Sequence, residues 1–210
     1  MITITIQGFC TATNVPPAVL KAFTTALRIK NPTYEKIVRV TGNRWAAAEY
    51  FKYYWKSPDN GIRFPFGFLP RVAAYFDRNN IEYTVVDNSV DKDINLWIAG
   101  KPELRDYQVP IVEAMVTAQH GGLVVAGTGA GKTYCALESI RKQQKTALII
   151  TPNTVIQDQF VRAATNIFKF EIGVVNGKQS TIKPVTVITW QSLDKYIPQL
   201  VDMVSHVYVD

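Results

Sequence analysis

Eight residues near the middle of the chain, AGTGAGKT at positions 126–133, constrain the fold more than any other stretch. They follow a short apolar run at residues 123–125 and open the segment KTYCALESIRK, which has the composition of a helix. A strand, a glycine-rich loop and a helix in this order place a nest of backbone amides at a helix N-terminus, where phosphate binds. The sequence therefore predicts a nucleotide phosphate site within an α/β domain.

The residue types in this loop suit a nucleoside triphosphate with its metal. Glycines let the backbone amides turn inward, Lys132 can reach the β- and γ-phosphates, and the Thr133 hydroxyl can ligate Mg²⁺. Ala126 stands where the strict pattern has glycine. The predicted phosphate-binding residues are Ala126, Gly127, Thr128, Gly129, Ala130, Gly131, Lys132 and Thr133.

The composition and hydrophobic pattern of the chain change along its length. Residues 1–86 are rich in aromatic residues and read as β-α-β-β-α-β, with YEKIVRV among the strands, which predicts a small α+β domain of the split βαβ type. Residues 87–103 are polar apart from an apolar island at 96–98, and we predict a linker there. Residues 104–210 contain nearly uninterrupted apolar runs, which are typical of parallel strands covered on both faces.

Bulk composition narrows the class of protein. The net charge of +6 permits a nucleic-acid partner without requiring one. Two distant cysteines and a start without a basic region or long apolar core indicate a reduced protein of the cell interior, without a signal peptide. No apolar stretch is long enough to span a bilayer, so we expect a cytoplasmic protein without a membrane partner.

The segment upstream of the loop, LRDYQVPIVEAM, indicates a nucleotide base contact. The Gln108 amide offers a donor and an acceptor, so it can bind adenine bidentately. Leu104, Arg105, Tyr107 and Gln108 resemble the Q motif of superfamily 2 helicases. The resemblance implies that Arg105 and Gln108 contact the base, that the nucleotide is ATP with Mg²⁺, and that residues 104–210 form a RecA-like domain.

Downstream segments resemble further motifs of these helicases in the expected order. ALIITPNTVIQDQF is similar to motif Ia, VVNGK to the glycine element that follows it, and VITWQSL to the next motif. Hydroxyls at strand ends and helix N-termini are common phosphate ligands. By this resemblance the expected contacts to a bound nucleic-acid strand are Thr151, Pro152, Gln159, Gly177 and Thr189.

The last six residues, SHVYVD, are similar to the strand that ends in motif II, which places Asp210 as a catalytic ligand of Mg²⁺ beside the catalytic Lys132. We expect a glutamate to follow Asp210, so that the 210 residues are the front part of a longer motor with an incomplete RecA-like domain. Alone, the chain is then expected to bind adenine nucleotide weakly and not to hydrolyse it at a measurable rate.

Aromatic and basic residues are mixed in two segments of the first 86 residues, a mixture that suits base stacking and phosphate neutralisation. They include Arg44, Trp45, Tyr53, Tyr54, Trp55, Lys56, Arg63 and Arg71. The layout resembles the accessory domain of UvsW-like phage helicases, which implies a phage protein that acts on branched or duplex DNA, with a single strand in the motor groove. A motor subunit of a restriction system, an RNA helicase, and a nucleotide-sensing DNA-binding module without turnover stay open as alternatives.

Overall fold

A computed structural model describes residues 1–57, 61–94, 99–118 and 121–210. The chain forms two compact units, Met1–Ser89 and Val90–Asp210. The apolar island at 96–98 in the predicted linker lies outside the described residues. In the described parts of the chain, no helix has both the length and the apolar character needed to cross a membrane.

The first unit is built on a mostly antiparallel five-stranded sheet with the order β5-β6-β2-β1-β7, in which only β1 and β7 run parallel. A separate hairpin joins β3 to β4, and a short 3₁₀ helix at Phe66–Phe68 leads into α3. The elements in chain order are β1 (Ile2–Gln7), β2 (Phe9–Thr13), α1 (Pro17–Ala26), β3 (Arg28–Lys30), α2 (Tyr34–Thr41), β4 (Tyr50–Lys52), β5 (Trp55–Lys56), β6 (Ile62–Pro65), α3 (Leu69–Arg78) and β7 (Tyr83–Asp87).

Helices α1 and α3 cover one face of this sheet. The strict alternation of β1 turns Ile2, Ile4 and Ile6 to that face, where they are buried. Phe23 of α1 and Phe76 of α3 are fully buried, with ring centroids 5.3 Å apart. The two helices and the first and last strands of the unit are therefore confirmed.

Parts of the first unit differ from the sequence-based prediction. Residues 34–40, predicted as a strand, lie in the helix α2, which ends at Gly42 in the left-handed conformation (φ 66°). Glu35 in its first turn and Arg39 in its last turn complement the helix dipole. Strand β2 was missed because Gly8, with φ 72°, turns the chain back after only one residue.

The second unit contains a sheet with the order β10-β9-β11-β8-β12, in which all neighbours except β10 and β9 are parallel. Its elements in chain order are α4 (Gln108–Thr117), α5 (Lys132–Gln143), β8 (Ala147–Thr151), α6 (Thr154–Asn166), β9 (Gly173–Val175), β10 (Ser180–Thr181), β11 (Val185–Thr189), α7 (Trp190–Leu200) and β12 (His206–Val209). Every residue of β8 and β11 is buried, as their apolar runs predict for central parallel strands.

The strand predicted just before the phosphate loop is wrong. Residues 121–127 have no regular structure, and the Leu123 and Val125 side chains are 89% and 87% exposed. The run is not part of the sheet β10-β9-β11-β8-β12 and pairs with none of its strands. Without a strand beside it, its backbone cannot enter the ladder and its side chains cannot be covered.

Part of the predicted linker packs onto the second unit. The Lys92 amide donates to Ser205 Oγ at 2.8 Å, and the Lys92 carbonyl accepts from the Thr146 amide at 2.9 Å. Ile94 is buried in the main core of this unit. These contacts fix residues 90–94 at the amino-terminal ends of β8 and β12.

Candidate functional site

The phosphate loop has the backbone conformation of an anion nest. Gly129 and Gly131 adopt φ values of 80° and 81°, which are strongly disfavoured for residues that have a Cβ atom. The Ala130 amide donates to the Gly127 carbonyl at 3.2 Å, and Gly131 is the N-cap of α5. The loop thus turns its amides inward just where the positive end of the helix dipole lies.

Lys132 is folded back onto its own loop. Its Nζ donates to the carbonyls of Ala126 and Gly127, each at 3.2 Å. Phosphate oxygens are better acceptors for an ammonium group than neutral carbonyls. The same side chain can therefore exchange these two bonds for contacts to a bound phosphate.

Gln108 binds the loop directly. This side chain is buried, and its Nε2 donates to the Ala130 carbonyl at 2.8 Å while its Oε1 accepts from the Arg105 amide at 2.9 Å. The second bond ties Gln108, the first residue of α4, to the turn that precedes the helix. One amide proton and one oxygen lone pair remain for a base, so Gln108 can couple base binding to the loop.

Arg105 lies beside this contact on the surface. Its Nη1 donates to Tyr107 Oη at 3.0 Å, and Tyr107 Oη lies 3.3 Å from the Ala130 carbonyl. Tyr107 and Gln108 therefore both bond to the Ala130 carbonyl of the phosphate loop, and Arg105 bonds to Tyr107.

The path of α5 carries the loop to the carboxyl edge of the sheet. Three residues separate the end of α5 from the start of β8, and Leu137 and Ile140 pack in the core with Ile149. A 12-residue helix and a five-residue strand are each about 17 Å long. Because α5 returns antiparallel to β8, its N-terminus lies level with the strand's carboxyl end, where parallel sheets bind ligands.

Three predicted site residues meet at that edge. Thr151 and Thr189 end β8 and β11 and are register partners. The Asp210 amide donates to the Ile150 carbonyl at 3.0 Å, which continues the ladder from β12 beside Thr151. The two hydroxyls are buried, whereas Asp210 is exposed.

The turns after these strands are tied together. Thr189 Oγ1 donates to Ser192 Oγ at 3.1 Å, and Gln191 Nε2 donates to the Pro152 carbonyl at 3.3 Å. Asn153 caps α6, since its side chain accepts from the Ile156 amide at 3.0 Å. The N-termini of α6 and α7 are thereby fixed side by side at the carboxyl edge.

The remaining predicted contacts lie on the surface. Pro152, Gln159 and Gly177 are exposed, and no described bond joins the Gln159 side chain to the edge.

Sequence reasoning missed a second glutamine, Gln157, which is fully buried. Its Nε2 donates to the carbonyls of Val175 and Val187, both at 3.0 Å, and its Oε1 accepts from Asn176 Nδ2 at 2.7 Å. The sequence feature that could have identified Gln157 is its position on the apolar face of α6, in line with Phe160 and Ala164.

Strand β12 is joined to the helix behind the phosphate loop. Tyr208 Oη donates to Gln143 Oε1 at 2.8 Å and lies 3.0 Å from Ser139 Oγ. Burial raises the pKa of the Tyr208 hydroxyl, so it stays a neutral donor.

Burial also raises the pKa of the Cys135 thiol, which fits a packed core residue and not a nucleophile.

Two of the predicted site residues, Thr133 and Asp210, carry oxygen donors that a magnesium nucleotide would need. The Thr133 hydroxyl and the Asp210 carboxylate have no protein partner in the described part of the chain, and both are oxygen ligands of the kind Mg²⁺ takes. No group of three or more His, Cys, Asp or Glu side chains among the described residues could hold a metal by itself. A metal here would need phosphate oxygens and water as further ligands, as Mg²⁺ usually has in nucleotide sites.

The sequence is similar to a known protein family and to curated DNA translocases and helicases. The family model described as "Type III restriction enzyme, res subunit" matches residues 101–205. The DNA 3'-5' translocase XPB2 of Sulfurisphaera tokodaii is 34% identical over 121 residues, which are 58% of this chain and 27% of that protein. The DNA 3'-5' helicase XPB of Mycobacterium tuberculosis is 35% identical over 96 residues, which are 44% of this chain and 17% of that protein.

The crystal structure of the UvsW helicase from bacteriophage T4 is similar across the whole chain, with a TM-score of 0.62 and 14% identity; the match covers 100% of this chain and 99% of that one. This likeness shows the mixed α/β fold with a RecA-like second unit. This chain spans about a quarter of the first curated relative. Because the family model covers half of the 210 residues, the chain belongs to the type III restriction enzyme res-subunit family and is a superfamily 2 helicase chain.

Proposed function

We propose that the protein is an ATP-dependent DNA helicase or translocase that unwinds or remodels branched DNA. The observation that carries the nucleotide part is the bond between Gln108 and the Ala130 carbonyl, at 2.8 Å, which links an adenine-reading side chain to the phosphate loop. The printed names of the relatives, a DNA translocase and DNA helicases, support DNA as the substrate.

In this proposal each loop residue has a separate task. The loop amides and Lys132 bind and orient the β- and γ-phosphates, and Gln108 holds the loop in register with the base. Thr133 and Asp210 would hold Mg²⁺, which neutralises the charge that develops on the phosphate oxygens. In this proposal the protein holds the phosphate loop and Gln108 in their binding positions before ATP binds.

Nucleic acid is proposed to lie along the carboxyl edge of the sheet. The N-termini of α6 and α7 lie side by side, and helix N-termini bind phosphate without reading sequence. Thr151, Pro152 and Thr189 stand at these turns, and Gly177 and Gln159 are proposed to extend the same contact surface.

The experiment is an unwinding assay of the intact protein on forked, four-way and plain duplex DNA. We expect ATP-dependent strand separation, faster on the branched substrates, and its loss in Lys132→Ala, because a methyl group cannot offset phosphate charge. Lys142→Ala is the matched control, since Lys142 is an exposed lysine on the same helix. Equal rates in Lys132→Ala would refute the site, and equal rates on all three DNAs would refute the preference for branched DNA.

A further inference from the structure

Residues 28–52 form an excursion from the first unit that we call the basic arm. It consists of β3, α2 and β4, and it joins the body at a bond from the Tyr53 amide to the Leu27 carbonyl at 2.9 Å. Inside the arm, the buried Asn31 holds the two ends of the excursion together. Its Nδ2 donates to the Ala48 carbonyl at 2.9 Å, and its Oδ1 accepts from the Thr33 amide at 3.0 Å.

Most of the net charge of the chain lies in this arm. Its six basic and two acidic side chains give +4, compared with +6 for all 210 residues. One basic residue, Lys30, is paired with Glu35 at 2.7 Å. The others that are exposed have no acidic partner in the described part of the chain; they are Lys36, Arg39, Arg44 and Lys52.

The arm also exposes aromatic side chains that a folded domain normally buries. Trp45 is 94% exposed, and Tyr50 and Phe51 are each more than 40% exposed. Helix α2 buries none of its residues. Trp45 is held just after Gly42, where its amide donates to Asn43 Oδ1 at 2.8 Å, so the ring stands on an ordered turn.

Exposed rings among unpaired cations match the chemistry of DNA with unpaired bases. Bases stack on aromatic rings, and Lys and Arg neutralise the phosphates between them. We propose that the basic arm binds branched DNA at the junction of duplex and single strand, with Trp45 stacked on an unpaired base and Arg39 and Arg44 on the adjoining phosphates. This inference rests on DNA as the substrate in the proposed function.

A second aromatic surface in the same unit is less suited to stacking on unpaired bases of DNA. On the sheet face away from the helices, Phe9 and Trp55 pack edge to face at 5.7 Å, and the Arg63 guanidinium lies over the Phe9 ring at 5.2 Å. These rings and this cation already contact one another. In the arm, by contrast, no described ring or cation contact involves Trp45.

The charge part is tested by fluorescence anisotropy of the 210-residue chain with labelled forked DNA across a salt series. The double variant Arg39→Ala/Arg44→Ala should lower the slope of log affinity against log salt by about 1.4 to 1.8, since each phosphate contact contributes about 0.7 to 0.9. The matched control is Lys21→Ala/Arg78→Ala, which removes two exposed basic residues of the same unit from outside the arm and should keep most of the slope. Equal losses in both variants would overturn the arm as the binding element.

The stacking part is tested at Trp45 in the same assay. Trp45→Leu should weaken binding to forked DNA about fivefold or more, whereas Trp45→Phe should retain most of the affinity. Stacking on a base requires an aromatic ring, which Phe has and Leu lacks, whereas both side chains can bury apolar surface. A Leu variant that binds as tightly as the Phe variant would overturn stacking. If the wild-type chain fails to bind forked DNA, the arm inference and the DNA part of the proposed function both fail; if it binds and the arm variants bind equally, only the arm inference fails.

Discussion

At the scale of single residues, Gly131 is the position in the phosphate loop that can least accept a side chain. It has a φ of 81°, and a Cβ atom built there would lie 2.4 Å from Gln108 Nε2. Gly127 is its opposite, since its φ is not in the left-handed region and no atom lies within 4 Å of an added Cβ. Gly131 is therefore constrained by its backbone angle and by its contact with Gln108, whereas Gly127 is constrained by neither.

This contrast predicts the stabilities of two alanine variants. Gly131→Ala should lower the free energy of unfolding by about 1–2 kcal/mol or more, because alanine is strained at positive φ and displaces the Gln108 amide. Gly127→Ala should change it by no more than about 0.5 kcal/mol. Urea unfolding of the nucleotide-free chain measures both, and equal stabilities would contradict the bond between Gln108 and the loop.

At the scale of elements, α5 holds a buried ion pair behind the phosphate loop. The Glu138 side chain is only 2% exposed and binds Arg141 through two bonds of 2.7 Å. The pair is the largest cause of the raised pKa of Arg141. Such a pair adds little net stability compared with apolar residues, but losing one partner leaves a buried charge unpaired.

Arg141→Ala should therefore destabilise the chain by about 3–5 kcal/mol, as expected when one half of a buried pair is removed. The double variant Glu138→Leu/Arg141→Leu should recover most of this loss. Lys142→Ala, which removes an exposed charge from the same turn, should change stability by less than about 0.5 kcal/mol. Thermal unfolding of the four proteins is the measurement, and a double variant as unstable as Arg141→Ala would rule out the unpaired charge as the cause.

The elements also show what the sequence could and could not predict. Strands β8 and β11 were predicted because burial on both faces leaves a continuous apolar run, which is a local signal. The run at 123–125 has the same composition, but a strand exists only if a neighbour pairs with it, and pairing is not encoded locally. The segment YEKIVRV at 34–40 was predicted as a strand, whereas the left-handed Gly42 and the charges at both ends favour a helix.

The candidate site was predictable to a similar degree. The glycine pattern predicted the phosphate loop. The resemblance to superfamily 2 helicases predicted roles for Gln108, Thr151, Thr189 and Asp210, and these roles stay predictions. Which partners they bind was not predictable, since the Gln108 bond to Ala130 joins residues 22 apart and depends on how α4 packs on α5. Gln157 was missed for the same reason.

At the scale of the whole molecule, the two units divide charge and chemistry between them. The second unit carries the phosphate loop and the parallel sheet edge, while most of the net positive charge lies in the basic arm of the first. Under the proposed function, nucleotide would bind the second unit, and the basic arm of the first would add a DNA contact to those proposed at the sheet edge.

The central claim, that residues 126–133 bind the phosphates of ATP, is tested most directly by calorimetric titration of the chain with ATP and Mg²⁺. Wild-type protein and Lys142→Ala should bind with equal, weak affinity, and Lys132→Ala should bind about tenfold or more weakly, because a charged hydrogen bond contributes about 1.5–3 kcal/mol. Removal of Mg²⁺ should weaken binding to the wild type as well. Affinity for Mg²⁺ and ATP that is the same in Lys132→Ala as in Lys142→Ala would contradict the claim.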